Sequence, residues 1–589
     1  MEKGQIVEFT IEDMSSEGQG IGRFEGMVVF VGGAVVGDTV SARLRKVKKN
    51  YALAELVEVL EESPFRTDVF DCEFMEKGCG GCQYGCIDYG AQLKLKQSQV
   101  KEKLQRLAGI EDPAVMPITG MKPEDNDGNG PFRYRNKAQF QVSTGGIITR
   151  KGGIVENLGE PAVGFYNAKS HSVLDCGDCY LQSMAAMAAA DALRTFMEED
   201  NITAWDPKWE KGLMRQLIVK TAFATKEVMV ILVINGKGIP NAQKLIEMLD
   251  DAVYEVGYSL ESVVINVKKE KKDENIVIAG KPVIRDFIGD VEYEISPSSF
   301  YQVNPVQVKR LYDIVRKYCG FVDAADVAGS HIAVRPVILD LYCGVGSIGL
   351  YCADMAEAVV GIESVREAVI DANRNAVING IVNARYICGR AEEVLPEYAA
   401  AGTGDEADVD PELARLIRRT DIAILDPPRA GCRPELLEAV AKVSPERIVY
   451  VSCDPATLSR DIRLLMQLGY EFVEASPVDM FPWSVHVETV VQLVRKKPDT
   501  YIDITVDMDE LDLTSSEAKA TYDEIKDYIF DKHRVKVSSL YVAQVKQKHG
   551  IIERDCYNNS KKDNPKQPQC PPEKVKLIEE ALRHFKMIP

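Results

Sequence analysis

The chain has 589 residues, 46% of them hydrophobic, and a formal net charge of −19. One hydrophobic core does not grow to this size, so we expect three or four domains. The acidic balance argues against bulk electrostatic binding of nucleic acid, while leaving room for a local basic surface and a specific partner.

The N-terminus is polar and lacks the apolar stretch of a signal peptide. No segment reaches the roughly 18 consecutive apolar residues that a membrane span needs. We therefore expect a cytoplasmic protein, in which 14 cysteines favour metal binding or catalysis over disulfides.

Residues 1–61 have the pattern of a small β-barrel. Short segments alternate between apolar and polar residues or run apolar, with glycine turns at 18–20 and 32–33. The segments are 6–11, 27–31, 38–47 and 51–60. They predict a five-stranded barrel of the oligonucleotide-binding type. A basic run within it is either a solvated face or an RNA contact; its members are Arg43, Arg45, Lys46, Lys48 and Lys49.

A cysteine cluster opens residues 62–300. Its members are Cys72, Cys79, Cys82 and the distant Cys179. Four thiolates at this spacing hold zinc or an iron–sulfur cluster, and spacing alone does not choose between them. Cys86 and Cys176 are alternative ligands.

The rest of this region mixes helices and strands. We predict a helix over 91–107, a loop over 123–131 and a buried strand over 228–234. A second basic run contains Arg133, Arg135 and Lys137, interleaved with Phe132 and Tyr134. It has the same two interpretations as the first run.

From residue 336 onward strands and helices alternate, which predicts a parallel doubly wound sheet. A strand over 337–342 runs into a glycine-rich loop over 343–349, and the next strand ends at Glu363. Such a loop lets the backbone approach a nucleotide, and the acid binds ribose hydroxyls. The loop suits both NAD and S-adenosylmethionine, so later motifs must decide.

Two later strands end in polar motifs. The strand over 421–425 leads into Asp-Pro-Pro-Arg at 426–429, a position where open α/β sheets bind ligands. Arg429 stands where amino-methylating enzymes carry an aromatic residue. The strand over 448–451 leads to Cys453, just before a helix that Asp454 should cap. A helix N-terminus lowers a thiol pKa, so Cys453 is a candidate nucleophile.

Cys453 and Glu488 together suit methylation of a pyrimidine carbon. A thiolate that adds to C6 of uracil makes C5 nucleophilic, and a base must then remove the C5 proton. Glu488, in His-Val-Glu-Thr, is the candidate base, and residues 481–483 are candidates for the wall of a base pocket. Zinc deaminases also carry His-x-Glu, but the Pro-Cys-x-x-Cys that should follow is absent.

Together these motifs resemble the RNA (uracil-5-)-methyltransferase family over roughly residues 1–497. The resemblance depends on Asp340, the glycine loop, the turn at 426–429, Ser-Cys-Asp-Pro at 452–455 and the segment 479–489. It implies an α/β protein with a TRAM-like β-barrel, an α+β central domain with the cysteine cluster, a Rossmann-like methyltransferase domain and a C-terminal accessory domain. The expected bounds are 1–61, 62–300, 301–497 and 498–589.

The resemblance also implies roles for single residues. Cys453 is the expected nucleophile and Glu488 the expected base. S-adenosylmethionine is the expected cofactor, with contacts at Gln302, Tyr342, Glu363 and Asp426. A [4Fe-4S] cluster, rather than zinc, is expected on Cys72, Cys79, Cys82 and Cys179.

The TRAM-like barrel and the cysteine cluster favour 23S ribosomal RNA as substrate, and a large RNA makes a monomer the default. Transfer RNA is the alternative substrate, and a non-catalytic RNA-binding factor is the alternative class. A cytosine-5 methyltransferase is disfavoured, because no Pro-Cys motif or second catalytic cysteine is seen. The tail 498–589, with helices expected near 522–532 and 572–585, is either an RNA- or ribosome-contacting domain or a structural appendage.

Overall fold

The computed structural model describes residues 1–144, 147–150, 153–156, 160–168, 170–206, 209–268, 273–320, 335–400, 409–496, 522–549, 570–585 and 587–588. The chain forms two compact units, Met1–Lys497 and Pro498–Pro589. The acidic segment 400–411, which the sequence predicts to be a surface insertion, lies largely outside the described residues. Among the residues described, no helix is both long and apolar enough to cross a membrane.

The first unit begins with a closed five-stranded barrel in the order β1-β2-β3-β5-β4. Its strands are β1 (Ile6–Met14), β2 (Gln19–Phe24), β3 (Met27–Gly32), β4 (Thr39–Val47) and β5 (Tyr51–Glu61). Alternate residues such as Val29, Val31 and Ala42 fill its interior, as expected of a small barrel. The predicted turn over 18–20 is too long, because Gln19 is the first residue of β2 and already pairs with Gly32 of β3.

A seven-stranded sheet and four helices follow, in the strand order β10-β9-β6-β11-β12-β13-β14. The elements are α1 (Glu73–Glu76), α2 (Tyr89–Lys103), β6 (Lys137–Thr144), β7 (Ile147–Arg150), β8 (Gly153–Glu156), β9 (Pro161–Tyr166), β10 (Val173–Asp175), α3 (Met184–Glu199), β11 (Met214–Thr221), β12 (Glu227–Ile234), α4 (Ala242–Glu255), β13 (Ser259–Val267) and β14 (Glu274–Gly280). α2 begins at Tyr89, two residues before the predicted start, and Asp88 caps it; the last predicted turn is a π-helix over Leu104–Ala108.

A hairpin and a helix connect this sheet to the next. They are β15 (Ile284–Ile288), β16 (Val291–Ile295) and α5 (Pro305–Tyr318). Ile284, Tyr293 and Leu311 are buried in one core with residues of the following sheet. The hairpin and α5 therefore pack against the second seven-stranded sheet.

The second seven-stranded sheet has the order β19-β18-β17-β20-β21-β23-β22. Its elements are β17 (Val337–Leu341), α6 (Ser347–Cys352), β18 (Ala358–Glu363), α7 (Arg366–Ile378), β19 (Ala384–Cys388), α8 (Ala391–Ala400), α9 (Pro411–Arg418), β20 (Ile422–Leu425), α10 (Pro434–Val443), β21 (Arg447–Ser452), α11 (Pro455–Gln467), β22 (Tyr470–Val478) and β23 (Glu488–Arg495). Successive residues belong to two cores on opposite faces, Ile338 to one and Leu339 to the other. The doubly wound α/β prediction is confirmed.

One strand departs from the predicted parallel sheet. β23 runs antiparallel to both its neighbours, β21 and β22. The direction of β23 cannot be predicted from the sequence. It depends on how the chain returns after β22 and on which neighbouring strand accepts the hydrogen bonds of β23. The reversal decides the geometry of the site.

Among its described residues, the second unit contains three helices around its own small core. They are α12 (Tyr522–His533), α13 (Ser539–Lys548) and α14 (Pro572–His584). Ile525, Val542 and Leu582 are among the fully buried residues of this core. Both predicted helices are present, and α13, which the sequence analysis missed, lies between them.

Candidate active site

Cys453 lies directly after β21, and Glu488 is the first residue of the neighbouring antiparallel strand β23. Ser452, the last residue of β21, pairs with Thr489 in β23. Extending that register by one residue places Cys453 opposite Glu488, and opposite residues of a strand pair share one face. Glu488 also raises the pKa of the Cys453 thiol, which agrees with their proximity. The reversed strand thus brings a carboxyl group to the thiol.

The turn that carries Cys453 is held by its neighbours. The Asp454 carboxylate accepts the N–H groups of Ala456 at 2.8 Å and Thr457 at 3.0 Å. The Ser452 hydroxyl accepts the N–H of Asp454 at 3.2 Å. The predicted cap is therefore confirmed, and it fixes Cys453 between the strand end and the first turn of α11.

The titration of Cys453 differs from the prediction. Burial raises the pKa of Cys453 to about 11, with Glu488 and Asp426 adding to the rise and Arg429 opposing it. The expected lowering by the helix N-terminus is wrong here, because desolvation and two carboxyl groups oppose formation of the thiolate. Arg429 is the positive charge that faces this group of acids.

Glu488 and Asp426 are also perturbed. Burial raises the pKa of Glu488 to about 8, with a further rise from Asp426. Burial alone raises the pKa of Asp426 to about 7. Glu488 therefore exists in both protonation states near neutral pH, a property that suits a group that accepts and releases a proton.

A buried ion pair anchors the segment before Glu488. Lys96 of α2 donates to Asp479 at 2.6 Å and to the Phe481 carbonyl at 3.0 Å, and both charged side chains are fully buried. Tyr89 donates to the other Asp479 oxygen at 2.8 Å. The sequence analysis missed Lys96, since a lysine in a helix pattern carries no signal that its partner lies in a distant loop.

We expect Lys96→Met to destabilise the first unit by about 3–5 kcal/mol, because it leaves Asp479 buried and unpaired. Urea unfolding followed by tryptophan fluorescence measures the loss. The matched control is Lys96→Met combined with Asp479→Leu, which removes both charges and should recover most of the stability. Equal stability of the single variant and the wild type would show that the pair is not needed.

Trp483 is not the pocket wall that the sequence analysis predicts. It is 2% exposed and stacks on Phe132 with ring centres 4.9 Å apart. The Tyr134 hydroxyl donates to the Pro482 carbonyl at 3.1 Å. The aromatic residues of the second basic run are thus core contacts of this segment, while Phe481 remains partly buried beside His486, with ring centres 6.0 Å apart.

The glycine loop borders a large cleft. The cleft has a volume of about 1050 Å³, and its lining includes Phe300, Gly344, Val345 and Glu363. The Glu363 carboxylate accepts the N–H groups of Gly344 at 3.1 Å and Val365 at 2.8 Å. The cleft therefore combines an approachable backbone with an acid at a strand end, as a nucleoside site requires.

Asp340 supports this loop from below. One carboxylate oxygen accepts the N–H of Gly349 at 3.0 Å. The other oxygen is buried and has no hydrogen-bond partner among the described residues. Burial raises the pKa of Asp340 to about 7. A buried acceptor left open beside the glycine loop fits a site for a polar ligand.

The four expected cofactor contacts are placed differently. Glu363 lines the cleft, and Gln302, Tyr342 and Asp426 are not among its lining residues. Gln302 is buried, Asp426 follows β20 beside the catalytic pair, and Tyr342 has a positive φ of 62° with a hydroxyl that hydrogen-bonds Cys432. Glu363 therefore lies in the cleft, whereas Asp426 lies with the carboxyl groups near Cys453.

Five cysteines line a second cavity, of about 540 Å³. They are Cys72, Cys79, Cys82, Cys176 and Cys179. The Cys176 thiol donates to Cys179 and lowers the pKa of Cys179 to about 7, while burial raises the pKa of Cys72 and Cys79. Cys86 lies elsewhere, beside Arg66. Within the described ranges, no three such ligands are arranged tightly enough to hold a single metal ion.

Known proteins share both the sequence and the fold. Residues 256–496 match the model of the family described as tRNA (Uracil-5-)-methyltransferase, and residues 1–57 match that of the TRAM domain. An uncharacterized RNA methyltransferase of Caldanaerobacter subterraneus subsp. tengcongensis is 38% identical over 497 residues, 84% of this chain and 98% of its own length. The chain belongs to the RNA (uracil-5-)-methyltransferase family. It is thus an S-adenosylmethionine-dependent RNA methyltransferase with an N-terminal TRAM domain.

Two further proteins are similar to this chain in sequence or in fold. An uncharacterized RNA methyltransferase of Halalkalibacterium halodurans is 36% identical over 499 residues, 84% of this chain and 98% of its own length. The tRNA (uracil-54, C5)-methyltransferase of Pyrococcus abyssi, solved with S-adenosyl-L-homocysteine, is 26% identical with a TM-score of 0.59. The match covers 83% of this chain and all of that one.

Proposed function

We propose that this methyltransferase acts on C5 of a specific uridine in 23S ribosomal RNA through a covalent bond between Cys453 and the base. The observation that carries the proposal is the register of β21 and β23, in which Ser452 pairs with Thr489, so that Cys453 and Glu488 are the next residue of each segment. S-adenosylmethionine supplies the methyl group as an electrophile. Gln302, Tyr342, Glu363 and Asp426 are the proposed contacts to it.

The residues then act in a fixed order. The Cys453 thiol loses its proton to solvent, and the thiolate forms a bond to C6 of the uracil. The electrons of the C5–C6 double bond then make C5 the nucleophile, which takes the methyl group as the bond from that group to sulfur breaks. Glu488, as a carboxylate, accepts the proton from C5. The electrons of the broken C5–H bond re-form the C5–C6 double bond, and Cys453 leaves as a thiolate. The raised pKa of Glu488, about 8, suits a group that must hold that proton and then release it.

The preference for ribosomal RNA rests on the family resemblance, in which a TRAM barrel together with a cysteine cluster is typical of the ribosomal RNA branch. The solved relative that acts on uracil 54 of a tRNA keeps transfer RNA as the alternative. A monomeric enzyme and the domain bounds 1–61, 62–300, 301–497 and 498–589 are parts of the same proposal.

The test is base-resolution mapping of 5-methyluridine in 23S ribosomal RNA and transfer RNA, in strains with and without this gene. Loss at one or two ribosomal uridines is the expected result. Loss confined to transfer RNA would overturn the substrate and keep the chemistry. A strain carrying the Cys453→Ala enzyme should lose the same methyl groups as the deletion, whereas a non-catalytic RNA-binding factor would keep its cellular role.

We propose that the cysteine cavity holds a [4Fe-4S] cluster on Cys72, Cys79, Cys82 and Cys179. The lining is rich in thiols and contains no carboxylate, and Arg135 is its charged member. Such a lining suits a sulfur-ligated, negatively charged group. The role is structural, because the methylation uses only polar steps.

We expect Cys179→Ser to lose most of the bound iron, while Cys86→Ser, the matched control, retains it. Cys176→Ser distinguishes the ligand from its hydrogen-bonding neighbour and should keep the iron. Iron and sulfide contents of anaerobically purified protein measure this, and zinc content tests the alternative metal. Iron retained in Cys179→Ser but lost in Cys176→Ser would exchange the two roles.

A further inference from the structure

The C-terminal unit is an addition to the shared enzyme. The family match ends at residue 496, where the first compact unit also ends. Two relatives align along 98% of their own length yet match only 84% of this chain. The methyltransferase fold is therefore complete without the three helices, and the surface of this unit must be considered on its own.

A cluster of cations and aromatic rings lies where α12, α13 and α14 come together, and we name it the corner patch. It consists of Phe530, Arg534, Lys536, Tyr541 and Lys574. The Arg534 guanidinium and the Lys536 ammonium lie 5.6 Å and 5.7 Å from the centre of the Phe530 ring. Lys574 donates to the Lys536 carbonyl at 2.9 Å and lies 5.9 Å from the centre of the Tyr541 ring. All three helices or their ends thus contribute to one surface.

Positive charge in the corner patch is poorly compensated. Two other lysines of the unit are paired, Lys532 with Glu580 at 2.8 Å and Lys548 with Glu579 at 3.5 Å. Among the residues described here, Lys536 and Lys574 have no carboxylate within ion-pair distance. Asp531 lies 4.0 Å from Arg534 and is largely exposed. In a chain of net charge −19, this is an isolated positive surface.

The backbone at Arg534 adds a second, independent observation. Arg534 has a positive φ of 54° directly after α12, and its N–H bonds to the Phe530 carbonyl at 2.8 Å. Glycine is the residue that ends helices this way without a steric cost, because it has no Cβ. Arginine at this position places a guanidinium over the exposed Phe530 ring.

We propose that the corner patch is an RNA-binding surface of this methyltransferase, separate from the TRAM domain and the catalytic sheet. Cations beside accessible rings neutralise phosphates and allow unpaired bases to stack, which is how proteins hold RNA without reading its sequence. Its function is to raise the affinity for the RNA substrate. It contributes equally to substrate and transition state, so it lowers KM and leaves kcat unchanged.

The test compares two full-length triple variants with the same change of charge. The patch variant is Arg534→Gly, Lys536→Gln and Lys574→Gln; the control is Lys532→Gln, Lys548→Gln and Lys576→Gln. Binding of unmethylated 23S ribosomal RNA and of transfer RNA transcripts is measured between about 50 and 200 mM salt. The patch variant should lose about tenfold or more in affinity, and its salt slope should fall by about 2–3. The control should lose less than about threefold.

Folding does not confuse the result. Arg534→Gly relieves the positive φ, so the thermal unfolding of the patch variant should be unchanged or shifted upward. If it shifts downward, Lys536→Gln with Lys574→Gln leaves position 534 intact and carries the same prediction with a smaller loss. Equal affinities of patch and control variants, or no RNA binding by the wild type, would overturn the proposal. Neither readout depends on which uridine is methylated, so failure of the proposed target leaves this test valid.

Discussion

Replacing Cys453 with alanine is expected to lower methyl transfer by more than about 10⁴-fold, because the reaction loses its nucleophile rather than an auxiliary contact. Without the bond to C6, uracil C5 is too weak a nucleophile to accept the methyl group. Single-turnover transfer of a radiolabelled methyl group to RNA measures the loss. RNA affinity should change little, since the thiol is one small group within a large interface.

Cys570→Ala is the matched control for this change. Cys570 is a partly exposed cysteine that has no proposed role, and its loss should leave the transfer rate within about twofold. The pH dependence provides a second check. The pKa of Cys453 is raised to about 11, so the rate of adduct formation should climb with pH from neutrality toward that value. Substantial transfer by Cys453→Ala would remove the covalent mechanism while leaving family membership untouched.

Replacing Glu488 with glutamine is expected to slow turnover by about 10²- to 10⁴-fold and to trap the enzyme on its RNA. Glutamine has nearly the same shape but accepts no proton, so the methylated C5 keeps its hydrogen and Cys453 cannot leave. A slowly migrating protein–RNA species on a denaturing gel reveals the adduct. The double variant with Cys453→Ala should abolish this species.

The control for Glu488 is Glu471→Gln, which changes an exposed carboxylate in the neighbouring strand β22. It should form no lasting adduct and turn over like the wild type. The Glu488→Gln enzyme should also form its adduct at a lower pH than the wild-type enzyme does, because the carboxylate that raises the Cys453 pKa is gone. This shift should appear above about pH 8, where Glu488 is charged. A Glu488→Gln enzyme with fast turnover and no adduct would assign the base to another residue.

The sequence predicted four strands of the catalytic sheet, β17, β18, β20 and β21, because each is a compact apolar run that ends in a polar motif. The run before Glu363 and the run before Cys453 both appear as strands, and Asp454 caps the helix as expected. It predicted the surroundings of the site poorly. Trp483 is a core residue, because an aromatic side chain in a motif looks the same whether it faces a ligand or another ring.

By itself the sequence determined the chemistry available to this protein: a thiol, a carboxyl base, a glycine loop and a group of cysteines at spacings that few reactions require. Tertiary structure alone decided how those groups act on one another. The reversal of β23 sets Glu488 opposite Cys453, and Lys96, from a helix far away in the chain, neutralises Asp479 in the segment between them. Burial then raised pKa values that local motifs would have left low. Desolvation and long-range pairing depend on which distant residues share a core, and no short stretch of sequence records that.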